Sequence, residues 1–316
     1  MSWQSWWKNL WRPRELGPAP AVDPFDTGEL PVLTPAISLS SGGARLRVGV
    51  VTTVGNYREH NEDNFFVPGR GSLGTDVGSA AGGAAGGPGA DGAVPFDPAG
   101  LFVVADGMGG QLAGEEASRL AVQIIPRELR GRLRPDDDEP SIREAIKGAV
   151  AAANREILAQ SNLVTELTNM GTTVVLLLIR QGRAYVAGIG DSRVYRLRGG
   201  RLEQLTRDHS LAKALEEAGT IAADEVESHR FKHVLYLYLG SPDAREGPED
   251  VRVVEVRPGD QFLLASDGMT GSVRDEQIIE LLQGHADPQQ AAQALVDRAL
   301  ANQSKDNVTC VVIHAL

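Results

Sequence analysis

The stretch Leu101-Phe102-Val103-Val104-Ala105-Asp106-Gly107-Met108-Gly109-Gly110 decides the reading of the whole chain. Its first five residues are apolar and β-prone, so they form a buried strand, and a carboxylate stands at the strand's end. Two more apolar runs end the same way. Ala184–Gly190 runs into Asp191-Ser192, and Phe262–Ser266 runs into Asp267-Gly268. Asp306 precedes the apolar run Val308–His314, and Glu62-Asp63 precedes a short strand at Asn64–Val67. Carboxylates at the rims of buried strands that converge on one spot repel each other and resist desolvation. A hard divalent cation resolves that conflict, because Mg²⁺ and Mn²⁺ take carboxylate, carbonyl and water oxygens. Asp-Gly after a strand is also a plain turn signal, and periodicity alone does not show that these acids meet.

Outward from that stretch the pattern is dense. Gly114–Leu133 and Ser141–Ser161 carry apolar residues at helical spacing, as at Ile142, Ala145, Ile146 and Ala149. Strands are expected at 46–53, Thr172–Ile179, Ala184–Ile189, Val194–Leu197, Val251–Val256, Gln261–Ala265 and Val308–His314. Residues 209–240 read as helical but broken, and Asp275–Leu282 and Pro288–Ala301 as helices. Paired helices between hairpin-connected strand groups predict an α+β fold: mainly antiparallel sheets with helices packed outside.

The chain has 316 residues, 42% of them hydrophobic, which suffices for one large core or two modest ones. A net charge of −11 argues against nucleic acid as a partner. The single cysteine, Cys310, excludes an intrachain disulfide and a cysteine-rich zinc module, and it lies in an apolar strand, where core is a better reading than nucleophile. No apolar run reaches the roughly 18 residues of a spanning helix. The N-terminus lacks the apolar stretch of a secretory signal. These features predict a soluble, cytoplasmic protein. Residues 1–45 read as a tail and Pro-rich linker, 46–316 as the folded domain, and the Gly/Ala-rich 71–98 as an insertion loop.

The segment Gly55-Asn56-Tyr57-Arg58-Glu59-His60-Asn61-Glu62-Asp63 resembles the first signature of the metal-dependent protein phosphatases of the 2C type, and Val103–Gly110 resembles the second. Gly171-Thr172-Thr173, Gly190-Asp191-Ser192-Arg193, Ser266-Asp267-Gly268 and Asp306-Asn307 follow in the family's order, and the arrangement is most similar to the bacterial branch. The resemblance covers residues 46–316. It implies a four-layer α-β-β-α sandwich and hydrolysis of phosphoserine or phosphothreonine by direct attack of metal-activated water. It implies that Asp63 and Asp106 contact two Mn²⁺ or Mg²⁺ ions, with Asp106 bridging. Gly107 would offer its carbonyl, and Glu62 would hold a metal-bound water. Asp267 and Asp306 would complete the second ion's shell, and Asp191 with Asp267 would form a third, looser site.

Arg58 is the expected substrate-phosphate ligand, since its planar fork grips two phosphate oxygens; a surface salt bridge with Glu62 or another acid is the bland alternative. Many eukaryotic relatives have His where Met108 stands, so the proton donor for the leaving group is unassigned. Residues 207–240 match a flap beside the site; Arg207-Asp208-His209-Ser210 keeps its opening, and Lys232–Leu239 is more aromatic than usual. His229 and His233 have helical spacing, but an exposed helix face is the better reading than a zinc site. A catalytically weak scaffold and a phosphatase dedicated to one regulatory antagonist are the alternatives to a general phosphatase. None of the metal carboxylates, whose loss would mark the scaffold, is missing. The expected partners are phosphorylated proteins and a Ser/Thr protein kinase.

Trp3, Trp6, Trp7 and Trp11 are all the tryptophans of the chain. On a helix, Trp3, Trp7 and Trp11 share one face, with Lys8 and Arg12 nearby. Indoles and cations together suit docking to an anionic membrane surface or to a partner. Deleting residues 1–40 is therefore expected to leave turnover of a small aryl phosphate intact and to reduce co-sedimentation with anionic vesicles. Unaltered vesicle binding would defeat the membrane version.

Overall fold

The computed structural model describes residues 36–41, 44–69 and 100–316. The expectations for the tryptophan segment and for the 71–98 insertion fall outside the described residues. In chain order the strands are β1 (Ile37–Ser41), β2 (Ala44–Thr53), β3 (Asp63–Phe66), β4 (Leu101–Met108), β5 (Gly171–Thr172), β6 (Val174–Arg180), β7 (Arg183–Ile189), β8 (Arg193–Arg198), β9 (Arg201–Gln204), β10 (Arg252–Glu255), β11 (Gln261–Ala265) and β12 (Val308–Ala315). The helices are α1 (Gln111–Arg132), α2 (Glu139–Leu163), α3 (Leu211–Glu217), α4 (Asp267–Thr270), α5 (Asp275–Gly284) and α6 (Pro288–Ala301).

Two sheets result, with orders β1-β2-β12-β11-β8-β9 and β10-β7-β6-β4-β3, and β5 pairs the end of β4. Every pairing is antiparallel. Antiparallel strands usually alternate apolar with polar, yet Val174–Ile179 and Val308–Val312 are almost unbroken apolar runs. The reason is that both faces are buried. Along β6, Val175, Leu177 and Ile179 point into the core between the sheets, where Phe262 and Leu264 of β11 and Val311 and Ile313 of β12 meet them. Val174, Leu176 and Leu178 point the other way, onto α1 and α2 through Ile125, Leu129, Ile142 and Ile146. Leu263, Cys310 and Val312 likewise face α5 and α6. Three apolar layers separate four layers of secondary structure, which is the expected α-β-β-α sandwich.

Local signals set the helix starts. Asp138 caps α2 by accepting from Ser141 N–H. Asp287 caps α6 by accepting from Gln289 and Gln290 N–H, with Pro288 at the first turn.

Three expectations need correction. The linker does not extend to residue 45: Ile37–Ser41 pairs with β2 from Ile37↔Val48 to Ser41↔Ala44, so the sheet begins inside it. Truncation to test the tail must therefore stop at residue 34, because removing 1–40 takes away an edge strand. The polar, Arg- and Gln-bearing Arg201–Gln204 is also a strand, paired to β8. Its neighbour, not its own periodicity, makes it one. Lastly, His229 and His233 share no helix: the short helix Ala223–Ser228 ends before them.

Where α6 crosses β2, Gly49 leaves no room for a side chain: a Cβ there would lie 2.3 Å from Pro288 carbonyl oxygen and Gln289 nitrogen. Gln289 fixes the approach by bonding both Val50 N–H and C=O, at 3.0 and 2.9 Å. Gly49→Ala is expected to destabilise the protein by roughly 1–3 kcal/mol, through overpacking against backbone. Urea denaturation measures it, and an unchanged midpoint would show that α6 can step back freely.

Candidate active site

The strand ends open onto one cleft of about 720 Å³, whose walls include Arg58, Glu62, Asp106, Gly107, Asp191, Asp267 and Asp306. Seven of the eight residues singled out from the sequence are thus brought to one opening. The eighth, Asp63, is placed differently. It is 1% exposed and lies behind the wall.

Pairing of β3 with β4 sets Asp63 directly opposite Asp106. Like charges opposite each other on adjacent strands repel. Asp63 Oδ2 accepts from Ser266 Oγ at 2.8 Å and Thr309 Oγ1 at 2.7 Å, whereas its Oδ1 has no hydrogen-bond partner. Burial is the main cause that pushes Asp63 up to about 7; the two hydroxyls pull it down, and Asp267 and Asp306 push it further up. Burial also holds Asp106 well above the ordinary aspartate value, with Asp63, Asp267, Asp191 and Asp306 adding to it. Asp191 is raised to about 7, by burial first and by Asp267 and Asp208 after that. Glu62 is raised by burial, partly offset by Arg58.

Asp106-Gly107 is not a turn. Strand β4 continues to Met108, and β5 pairs with it there. Asp106 is locked along its backbone: its N–H donates to Thr173 Oγ1 at 3.1 Å, and its carbonyl accepts from Thr173 N–H and Thr172 Oγ1, both at 2.8 Å. Thr173 Oγ1 also meets Ser192 Oγ at 2.7 Å, which ties the Asp191 corner to the same strand. Asp267-Gly268 is not a hairpin turn either; Asp267 starts the short helix α4. Gly107 permits a close approach: a Cβ would strike Gly114 carbonyl oxygen at 2.1 Å and Glu62 carbonyl oxygen at 2.7 Å. The first turns of α1 therefore sit directly against the metal-site loop.

The loop that carries Arg58 and Glu62 hangs on one side chain. Asn307 Oδ1 accepts from Glu62 N–H at 2.9 Å, and its Nδ2 donates to the carbonyls of Val54 and His60 at 3.0 and 2.9 Å. Arg58 donates to Asp306 Oδ2 at 2.6 Å, and His233 Nδ1 lies 3.4 Å from Asp267 Oδ2. The ion pair expected as Arg58's bland alternative is therefore present, with Asp306 as its acid. Thr172, Thr173, Ser266 and Asn307 stand inside the motifs but carry no expected role from sequence, and His233 is expected on a solvent face. Adjacency to the motif aspartates was the available signal for the first four. His233 gave none, because a loop carries it across the cleft.

The residues fit divalent cations. An orphaned buried carboxylate oxygen, several acids held above their ordinary range by burial and mutual repulsion, and a donor set made only of oxygens are what a hard cation neutralises. Among the described residues no three acidic or histidine side chains close into a ready-made cage. Asp306 is turned onto Arg58 and Asp267 towards His233.

Oxygen ligands facing an arginine across one opening suit a phosphate held against divalent cations. Residues 93–304 match the family Protein phosphatase 2C, and the chain belongs to it. That match contains Asp106, Gly107, Asp191 and Asp267; Arg58, Glu62 and Asp63 precede it and Asp306 follows it. The serine/threonine protein phosphatase PstP of Mycobacterium tuberculosis (strain CDC 1551 / Oshkosh) is 37% identical over 67% of this chain and 40% of its own length. This chain thus matches less than half of that relative. The serine/threonine phosphatase stp of Listeria monocytogenes serovar 1/2a is 32% identical over 68% of this chain and 84% of its own. A crystal structure of the PstP catalytic domain in complex with two manganese ions superposes with a TM-score of 0.65 at 30% identity, covering 86% of this chain and 98% of that one.

Buried like charges make a stability prediction. A carboxylate whose folded-state value is raised binds its proton more tightly in the folded chain, so its contribution falls as pH rises through the window from the ordinary aspartate value to about 7. In chelator, Asp106→Asn is expected to be more stable than the unaltered protein at pH 8, and the advantage is expected to shrink towards pH 5 as the acids protonate. Urea titrations at both pH values measure it. A constant difference would mean that Asp106 is not repelled by its neighbours.

Proposed function

We propose that this chain is a Mn²⁺- or Mg²⁺-dependent serine/threonine phosphoprotein phosphatase that works by direct attack of water on phosphorus. The observation that carries the reading is the cross-strand pair Asp63–Asp106, buried among three further aspartates, with Arg58 on the same cleft. Asp63, Asp106, the Gly107 carbonyl, Asp267 and Asp306 would hold two ions, with Glu62 to hold a metal-bound water, and Asp191 with Asp267 would offer a third, weaker position. When bound, the ions supply Lewis-acid charge and a water of lowered pKa. The chain's own residues do the rest. Thr172 and Thr173 fix the Asp106 backbone, and Ser266 and Thr309 orient Asp63. Fixed ligands of this kind keep site geometry tight. Arg58 turns its fork from Asp306 to the substrate phosphate and stabilises charge on the phosphoryl oxygens as the ester bond breaks.

Phosphorylated proteins are the substrates, with Ser/Thr protein kinases acting in opposition. The tryptophan segment serves docking to membrane or partner, and the cytoplasm is the proposed location. A scaffold without catalysis is the weaker reading, because every acid the chemistry needs stands at or directly behind the cleft.

Turnover of an aryl phosphate and of a phosphothreonine peptide is expected to require Mn²⁺ or Mg²⁺ and to cease in chelator. Arg58→Ala is expected to raise the KM for phosphopeptide roughly ten-fold or more, the worth of a charge-assisted hydrogen bond, without weakening Mn²⁺ binding by calorimetry. Full activity in chelator would sink the two-ion reading, and unchanged KM and kcat would remove Arg58 from the phosphate site.

A further inference from the structure

Beside the cleft lies a second opening of about 770 Å³, between the flap and the segment Thr270–Glu276. The two openings share Lys232, Gly271 and Ser272, so the groove is a continuation of the cleft past Lys232. A phosphoprotein cannot present its phosphoresidue alone. The chain on one side of that residue has to leave the cleft, and this groove is an exit from it.

Most charges in the groove answer each other. Arg193 holds Asp208 with two nitrogens, at 2.9 and 2.7 Å, and reaches Glu227 at 3.3 Å. Lys213 pairs with Glu216 at 2.5 Å, and Arg207 pairs with Glu217. Asp275 lies in the field of Arg193, and Glu276 stands in the first turn of α5, where the helix N-terminus favours it. Two cations remain. Among the described residues, neither the Lys232 nor the Arg274 side chain enters an ion pair; it is the backbone N–H of Arg274 that donates to Gln277 Oε1. Lys232 is half-buried at the junction, and Arg274 is exposed further along.

We infer that Lys232 and Arg274 select phosphoproteins with acidic side chains next to the phosphoresidue, on the side that enters this groove. The inference rests on the phosphoprotein phosphatase reading and specifies its substrates. With divalent cations bound, the carboxylates of the cleft would be largely offset, and Arg58 would be taken up by the substrate phosphate. Selection by neighbouring charge therefore falls to cations outside the chemistry, where long-range attraction favours an acidic strand and disfavours a basic one. Lys232 meets the strand first, and Arg274 follows.

The test uses the full chain with Mn²⁺ and three phosphothreonine peptides whose neighbours on both sides of the phosphoresidue are all Glu, all Ala or all Lys. The Glu peptide is expected to have a KM roughly three- to ten-fold below the Ala peptide, the scale of one or two exposed ion pairs, and the Lys peptide the highest. Lys232→Glu is expected to abolish or invert that order while kcat/KM for a small aryl phosphate stays within about two-fold. Lys232→Ala, which keeps the flap free of a new charge, is expected to flatten the order without inverting it, and Arg274→Glu to weaken it. Equal KM values across the peptides in the unaltered protein would overturn the inference and leave the phosphatase reading standing. So would an unchanged order in the Lys232→Glu, Arg274→Glu double variant. Loss of aryl phosphate turnover in Lys232→Ala would place Lys232 in the chemistry and overturn its role as a selector. Turnover of the aryl phosphate with none of the three peptides would overturn both the phosphoprotein reading and this inference.

Discussion

Asp63 and Asp106 face each other on adjacent antiparallel strands, the first buried and the second half-buried on the cleft wall, and both are held above their ordinary range. Left to itself such a pair costs stability, because repulsion and desolvation act in the same direction. The pair survives because both flanking strands are pinned elsewhere. Strand β3 is held to α1 through the buried Asn64–Ser118 hydrogen bond, and Ser118 also donates to the Glu62 carbonyl. Strand β4 is apolar on both faces from Leu101 to Ala105. The repulsion is therefore stored rather than relieved, and divalent cations are the chemistry that relieves it.

The rest of the sandwich reads as support for that arrangement. The inter-sheet core brings the ends of β4, β7, β11 and β12 level at one rim, since strands of two facing sheets can share a rim only if their registers are set by a common apolar layer. Two outer helical layers bury the opposite faces and leave the rim itself uncovered. What lies beside the rim is the flap, which carries only the short helices Leu211–Glu217 and Ala223–Ser228. The flap is tied down at both ends by short contacts: His209 N–H to the Gly190 carbonyl at 2.9 Å, and the reciprocal Thr172–Leu239 pair, each bond also at 2.9 Å. Between those ties it carries Lys232 and His233 to the cleft. Away from His233, which reaches Asp267, a segment anchored at its ends can change its charges with little effect on the metal site, which is where substrate choice is best placed.

The glycines of the site have a matching role. Gly107 and Gly114 allow β4 and α1 to touch backbone to backbone, and a Cβ on Gly114 would fall 2.3 Å from a Glu62 carboxylate oxygen. Side-chain bulk at either would push the helix off and open the cleft wall. The same helix closes the outer core through Ile125 and Leu129, so catalytic geometry and core packing are coupled through one element.

Apolar runs, helix caps and motif spacing made the strands, the long helices and the antiparallel, helix-flanked architecture legible in the amino-acid sequence, because each of these is a local property of neighbouring residues. The identity of the acids was legible too, since each stands beside an apolar run that can be recognised. Other features depended on residues far apart in the chain. Ile37–Ser41 and Arg201–Gln204 are strands only because β2 and β8 offer them partners. Asp106-Gly107 looked like a turn and is strand, because β5 arrives to pair with it. Asp63, expected at the ions beside the bridging Asp106, lies behind it, because Ser266 and Thr309 take one of its oxygens. His233 and Lys232 reach the cleft only through the path of the flap. Sequence by itself determined which residues could do the chemistry and which segments could be buried, through side-chain type and period. Only the tertiary structure decided which carboxylates share a field and which cations, among the described residues, are left unpaired, because those follow from distances between segments, and local sequence does not encode them.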